Sequence, residues 1–186
     1  MLPMATDKPD KLLLLDLDET LVHATVQPLN EKADFVFDVY HVYKRPGVEQ
    51  FLQEISQHFV LGVWSSADDA YVEEIVKTIT PASVEWAMVW GKTRCTLKRD
   101  YQMDNYYWEK KLDKVKKKGF QLEQVIIVDD SPQKSRSNYG NAVYIHPFEG
   151  DGKDEELTHL FTYLLTLKEV ENIRAIEKRG WRNRNS

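Results

Sequence analysis

The sequence predicts an α/β fold: a doubly wound parallel sheet with helices on both faces and a small β insertion, without a large cap domain. Three observations carry this expectation. Leu12-Leu13-Leu14-Leu15 is apolar without a polar break, as in a strand buried on both faces, and such strands belong to parallel sheets. Val125-Ile126-Ile127-Val128 is a second run of this kind, and each run ends in paired acids: Asp16 and Asp18 after the first, Asp129 and Asp130 after the second. Elsewhere, strand-like runs alternate with segments of helical spacing, the order that builds parallel sheets.

Taken in order, residues 1–10 are expected to be a loose polar arm, lacking the apolar core of a signal peptide. After the first acid pair, Phe35 to Tyr43 is rich in aromatic and β-branched residues and reads as extended, part of a small inserted hairpin. Lys44-Arg45-Pro46-Gly47 breaks it. Val48, Phe51, Leu52, Ile55 and Phe59 follow helical spacing, with Pro46 near the helix start. Phe59 to Trp64 is a buried strand ending in Ser65-Ser66-Ala67-Asp68. Asp68 is positioned to cap a helix whose apolar face is Tyr71, Val72, Ile75, Val76 and Ile79. Trp86 to Trp90 is a short strand, and Gly91 to Tyr107 reads as irregular and surface-lying.

Six lysines between Lys110 and Lys118 surround only Leu112 and Val115, the pattern of a solvated helix face, and Gly119 ends it. Residues 125–129 and 142–146 are further core strands. Leu157, Leu160, Phe161, Leu164 and Leu165 predict an amphipathic helix, followed by a weaker pattern at Val170, Ile173 and Ile176. The expected organisation is one domain over residues 11–178 and a basic tail over 179–186.

Length and composition bound the function. The 186 residues suffice for one domain with a sizeable core. A net charge of −5 argues against general nucleic-acid or anionic-membrane binding. No apolar stretch approaches the ~20 residues that span a bilayer. Cys95, the single cysteine, has no partner for a disulfide or a zinc site and fits a reducing, cytoplasmic setting. His23, His41, His58, His146 and His159 show no metal-ligand spacing.

The acid pairs point to chemistry. A lone Asp-x-Asp reads first as a solvated turn with a helix N-cap, and the second acid pair reverses that reading here. Two buried strands that both end in acids would, as sheet neighbours, converge three or four carboxylates at the carboxyl edge, where open α/β sheets bind ligands. Such a cluster is unfavourable without a cation, and hard oxygen ligands suit Mg²⁺.

Asp16-Leu17-Asp18-Glu19-Thr20 resembles the first motif of the haloacid dehalogenase superfamily, Ser65 the second, Lys110 the third and Asp129-Asp130 the fourth. Their order and spacing are similar to the branch containing the small phosphatases of the RNA polymerase II C-terminal domain and their bacterial relatives, over roughly residues 11 to 165. Segments like Lys44-Arg45-Pro46-Gly47 and Trp108-Glu109-Lys110-Lys111-Leu112 recur there. This chain has Ser65 where Thr is commoner and Asp130 where some relatives have Asn. Lys111 stands where Asp is usual and competes with Lys110 for the third motif; Tyr107-Trp108 and Leu112 favour Lys110. Residues 83–107 resemble bacterial members more.

The resemblance implies a phosphatase of Rossmannoid fold. A carboxylate meeting a phosphate dianion at about 3.3 Å is repelled by roughly 10 kcal/mol at an effective dielectric near 20. It implies Asp16 as nucleophile, forming an aspartyl-phosphate, with Mg²⁺ held by Asp16, the backbone carbonyl of Asp18 and Asp130. Lys110 would hold Asp16 and a phosphoryl oxygen, and Ser65 would donate to another. Asp18 would be general acid, then base. Asp129 would support Lys110 or a metal-bound water, and Thr20 the turn after Asp18. Ser66 and Arg94 are candidates for touching an anionic substrate.

The implied substrate is a phosphomonoester, with phosphoserine or phosphothreonine in a protein favoured because only residues 22–44 and 83–107 are available as insertions. An alternative is a non-catalytic phospho-ligand or scaffold protein, which would be expected to have lost one of the acids. A response-regulator receiver fits poorly, because its lysine follows its acids, whereas Lys110 precedes the second pair. Fold alone would not separate these classes.

Overall fold

The computed structural model describes residues 11–184; the arm expected over residues 1–10 lies outside them, as do the last two tail residues. Five parallel strands form the central sheet: β1 (Leu12–Leu15), β5 (Val60–Trp64), β6 (Trp86–Trp90), β9 (Val125–Asp129) and β10 (Ala142–Tyr144), in the order β10-β9-β1-β5-β6. The chain leaves β1 for one side of the sheet and later returns to fill the other. The switch of direction therefore falls at the carboxyl end of β1, the place where such sheets leave a crevice.

Alternating side chains divide the core in two. Leu13, Leu15, Leu61, Val63, Ile126 and Val128 face the larger cluster, covered by α1 (Val48–Ile55), α2 (Asp69–Ile79) and α4 (Glu156–Leu167). Leu12, Leu14, Trp64, Val125 and Ile127 face a thinner layer built around Leu112, Val115 and Cys95. Both faces of β1 are fully buried, as its unbroken leucines require.

Helix α1 buries Val48, Phe51, Leu52 and Ile55, and is entered through Gly47 at φ 75°, a left-handed conformation that favours glycine. Helix α2 buries the five residues its spacing predicts. Asp68 stands at its N-cap position but makes no side-chain capping bond. In α4 the buried stripe is Leu157, Leu160, Tyr163, Leu164 and Leu167, so Tyr163 and Leu167 take the places expected for Phe161 and Leu165, which are only partly buried.

Two antiparallel insertions flank the sheet. The first, β2 (Val22–Thr25), β3 (Phe35–Phe37) and β4 (Tyr40–Lys44), has one strand more than the expected hairpin. The second corrects the irregular reading of residues 91–107: β7 (Thr96–Asp100) pairs with β8 (Asn105–Glu109). Its turn is fixed by the Asp100 carboxylate, which accepts from the N–H groups of Gln102 and Met103, a local device of aspartate that strand periodicity does not reveal. The lysine-rich stretch is helical only over α3 (Asp113–Lys116), because Leu112 and Val115 are its only buried anchors beyond Lys110. Trp181, in the segment read as a basic tail, is buried, stacked on Tyr163 at 5.1 Å, and donates its indole N–H to the Tyr144 carbonyl.

Candidate active site

Strand pairing sets the site. Leu15 is level with Val128 on one side and Val63 on the other, so the next residues, Asp16, Asp129 and Trp64, emerge together. The Asp16 N–H donates to the Val128 carbonyl at 2.9 Å, which carries the strand one residue further. The chain then turns sharply, with the N–H groups of Leu21 and Val22 both reaching the Leu17 carbonyl and Glu19 at φ 56°. The turn brings Asp18 back over the same edge.

Asp16 is buried between two lysines. Lys110 Nζ lies 2.7 Å from its Oδ1 and 2.6 Å from Oδ2 of Asp129, and Lys134 Nζ lies 3.6 Å from its Oδ2. Lys110, directly after β8, is fully buried, whereas Lys111 is partly exposed and outside the group. Asp129 is engaged at both oxygens, its Oδ1 accepting from the Ser131 N–H at 2.8 Å. Asp18 accepts a 2.6 Å hydrogen bond from the Tyr71 hydroxyl and a long one, 3.4 Å, from Ser65 Oγ. Ser65 is buried, its Oγ accepting from the Ala67 N–H.

The remaining candidates divide. Ser66 lines an open cleft of about 610 Å³ with Asp18, Glu19, Phe37, Tyr40 and Tyr71. Thr20 is buried beside the turn, but its hydroxyl finds no partner among the described residues; backbone bonds hold the turn instead. Arg94 is not brought to the acids: its guanidinium lies over the Trp90 ring, at a separate hollow with Asp69 and Thr93. The cation on the cleft is Lys92, packed on Trp108.

Tyr71, Lys134 and Glu19 join the site without having been singled out in the sequence. Tyr71 reads as one more member of an apolar helix face, and its hydroxyl leaves no trace in that periodicity. Lys134 lies in a run of 3₁₀ turns over Pro132–Asn141 that carries no apolar periodicity. Glu19 adjoins the first acid pair and bonds His23 at 3.1 Å.

Electrostatics sorts the acids. Burial pushes Asp16 up, but Lys110 and Lys134 outweigh it and hold the carboxyl below its ordinary value. Asp18 is raised by burial, with the Tyr71 hydrogen bond opposing and the Asp16 charge adding to the rise. Burial and the Asp16 charge raise Asp129 to about 7 and also raise Asp130. Burial and then Asp18 bring Glu19 to about 7. Burial disfavours the charged Lys110, but Asp129 and Asp16 more than offset it.

Five acids face two lysines, and the imbalance suits a metal. Asp16, Asp129 and Asp130 offer carboxylate oxygens within 4.8 Å of one another. Both carboxylate oxygens of Asp16, each facing a lysine only as an ion pair, and Oδ1 of Asp130 are buried without a hydrogen-bond donor among the described residues. An all-oxygen donor set with orphaned acceptors fits a hard divalent cation.

A parallel sheet with this acid edge at its switch point defines a protein of the haloacid dehalogenase type. The chain belongs to the NLI interacting factor-like phosphatase family, whose model matches residues 11–174. It is 32% identical over 183 residues to CTD small phosphatase-like protein 2 of Dictyostelium discoideum, covering 92% of this chain and 30% of that protein. It is 30% identical over 186 residues to human CTD small phosphatase-like protein, covering 93% and 62%. The chain thus spans less than two thirds of these relatives. Among solved structures, Fcp1, an essential RNA polymerase II CTD phosphatase, shares the fold with a TM-score of 0.64 at 18% identity, over 87% of this chain and 63% of that one.

Proposed function

We propose that this chain is a Mg²⁺-dependent phosphomonoester phosphatase working through an aspartyl-phosphate on Asp16, with phosphoserine or phosphothreonine in a protein as its substrate. The observation that carries the reading is Asp16 itself: a buried carboxylate kept ionised between two lysines, at the sheet edge where ligands enter, with an oxygen that no donor occupies.

In the first step Asp16 Oδ attacks phosphorus and the bond from phosphorus to the leaving oxygen breaks. Asp18, raised toward the protonated form, gives its proton to the departing alkoxide. In the second step Asp18 takes a proton from water, whose oxygen attacks phosphorus and frees Asp16 and inorganic phosphate. Lys110 donates to Asp129, is ion-paired with Asp16, and has a further N–H for a phosphoryl oxygen. Ser65 Oγ, only weakly held by Asp18, is the second donor. Asp16, the Asp18 carbonyl and Asp130 would hold Mg²⁺, which supplies charge neutralisation for the dianion. Asp129 keeps Lys110 in place.

A protein substrate is supported by the open cleft beside Asp18, whose Phe37, Tyr40 and Tyr71 offer apolar and aromatic surface to residues flanking the phosphate, and by the names of the relatives. The test is hydrolysis of para-nitrophenyl phosphate by wild-type and Asp16→Asn protein, with Mg²⁺ and with chelator, followed by a phosphopeptide panel. Metal-dependent turnover that disappears in Asp16→Asn is expected. Equal turnover in both proteins would overturn the assignment.

A further inference from the structure

Lys110 and Lys134 face the two oxygens of one carboxylate, but their ammonium groups are not equivalent. Lys110 is locked: two carboxylates lie within 2.7 Å and none of its surface reaches solvent. Lys134 stands 3.6 Å from Asp16, beyond hydrogen-bond distance, and its ammonium donates to no atom among the described residues. Its side chain is 26% exposed, against 1% for Asp16, so it is the lysine that a ligand arriving from solvent can reach. Its backbone is nevertheless fixed, the carbonyl accepting from the Lys110 N–H at 2.7 Å and its own N–H donating to the Ser131 carbonyl.

We propose that Lys134 is a second cationic catalytic residue, binding the phosphoryl oxygens of a phosphomonoester dianion directly and remaining on them through transfer. The proposal rests on the phosphatase reading above and adds a residue that none of the four motifs contains. Charge supports it. With Asp16, Asp129 and Asp130 ionised, Asp18 and Glu19 protonated and a divalent cation bound, the two lysines leave the resting site one unit positive. A dianion then brings it to one unit negative. Without Lys134 the same complex carries two negative charges in a buried place, where unbalanced charge is most costly. Lys110 alone cannot balance the dianion, because Asp129 and Asp16 already absorb most of its charge and leave it a single N–H for a phosphoryl oxygen. A compact ammonium on a flexible stem, set on a rigid backbone, can follow the phosphoryl group as it moves from the leaving oxygen to Asp16.

The proposal separates from a structural role by the sign of two binding effects. Removing a cation beside a metal site leaves Mg²⁺ affinity equal or tighter, while phosphate affinity falls; a collapsed loop would weaken both. The experiment compares wild type, Lys134→Met and Lys134→Arg. Mg²⁺ alone and then inorganic phosphate at saturating Mg²⁺ are titrated by calorimetry, with kcat and KM on para-nitrophenyl phosphate. Lys134→Met is expected to bind inorganic phosphate at least about tenfold more weakly, bind Mg²⁺ no more weakly, and lose about 10²-fold in kcat/KM, with partial rescue by Lys134→Arg. Unchanged phosphate affinity and kcat/KM in Lys134→Met, beside an active wild type, would overturn the proposal. So would a parallel loss of Mg²⁺ binding. Absence of Asp16-dependent turnover in the wild type would instead overturn the phosphatase reading, and the phosphate titration would still report on Lys134.

Discussion

Tyr71 donates a 2.6 Å hydrogen bond to Oδ1 of Asp18, so the residue asked to give and take a proton is held by a phenol from α2. Burial, then the Asp18 charge, push the Tyr71 hydroxyl up, which keeps it a donor at every physiological pH. A hydrogen bond to the charged form favours that form, so Tyr71 restrains the rise that burial causes in Asp18.

The pH profile of kcat/KM tests this relationship. Asp18 must be protonated for the first step, so activity falls on the alkaline side as it loses its proton. In Tyr71→Phe the restraint is gone, Asp18 holds its proton longer, and the alkaline limb moves to higher pH. The loss in kcat is expected to stay within about 10²-fold, since only positioning is disturbed. Asp18→Asn abolishes the limb, costs about 10²–10⁴-fold, and accumulates phosphoenzyme in acid-quenched samples. A limb that moves to lower pH in Tyr71→Phe would refute the pairing.

Arg45 offers a stability test away from the reacting atoms. Fully buried, it forks onto both oxygens of Asp154 at 2.8 Å and donates to the carbonyls of Thr20 and His146, tying the turn after Asp18 to the loop beyond β10. Removing Arg45 leaves the half-buried Asp154 carboxylate without its partner and the carbonyls of Thr20 and His146 without their donor. Arg45→Met should therefore lose about 3–5 kcal/mol in urea denaturation. Replacing both partners, in Arg45→Met with Asp154→Leu, should cost less than the two single changes together. A loss below about 1 kcal/mol in Arg45→Met would show that the pair is not the clamp its geometry suggests.

The parts of this molecule visible in the sequence are those written in hydrophobic pattern. Leu12 to Leu15 and Val125 to Val128 had to be buried on both faces, which fixed the sheet and brought Asp16 next to Asp129. The choice between Lys110 and Lys111 was written only in their neighbours: Tyr107-Trp108 and Leu112 favoured Lys110, and Lys110 is the one that β8 leaves buried among the acids. Tyr71 was legible as core and illegible as a donor, because its ring satisfies the helix periodicity whatever its hydroxyl does. The β7–β8 hairpin hid for a different reason: both its faces carry charged or polar residues, and its turn rests on the Asp100 carboxylate. Lys134 had no pattern to belong to.

Trp181 shows what charge composition conceals. Amid three arginines, it is packed on Tyr163 and bonded to the Tyr144 carbonyl, and Arg182 beside it pairs with the buried Glu156. Losing a large buried ring leaves a cavity as well as lost transfer energy. Trp181→Ala should destabilise by about 3–5 kcal/mol, measured by the denaturation midpoint at unchanged m-value. A change within about 0.5 kcal/mol would mean that the segment contributes nothing to the core.

Metal and proton compete for the same acids, and that fixes the sign of a last prediction. Glu19 and Asp129 titrate at about 7 in the metal-free fold, against ordinary values of 4.5 and 3.8. The folded state therefore keeps protons that the unfolded chain has released. Their stabilising contribution is complete below about pH 4 and is lost as pH rises through 7. Asp16, whose value is lowered, works in the opposite direction, but only below its ordinary 3.8. Metal-free protein should thus lose thermal stability between about pH 5 and pH 8. Mg²⁺ supplies the charge that the protons supplied, so it should flatten this slope and raise the midpoint most at the alkaline end; at a hundredfold excess over Kd the gain is about 2.7 kcal/mol. Asp130→Asn removes one orphaned acceptor and should show a smaller Mg²⁺ effect. Scanning thermal unfolding of both proteins across this range, with Mg²⁺ and with chelator, measures all of it. Metal-free stability that rises with pH, or an undiminished Mg²⁺ effect in Asp130→Asn, would contradict the assignment of these acids to one cation.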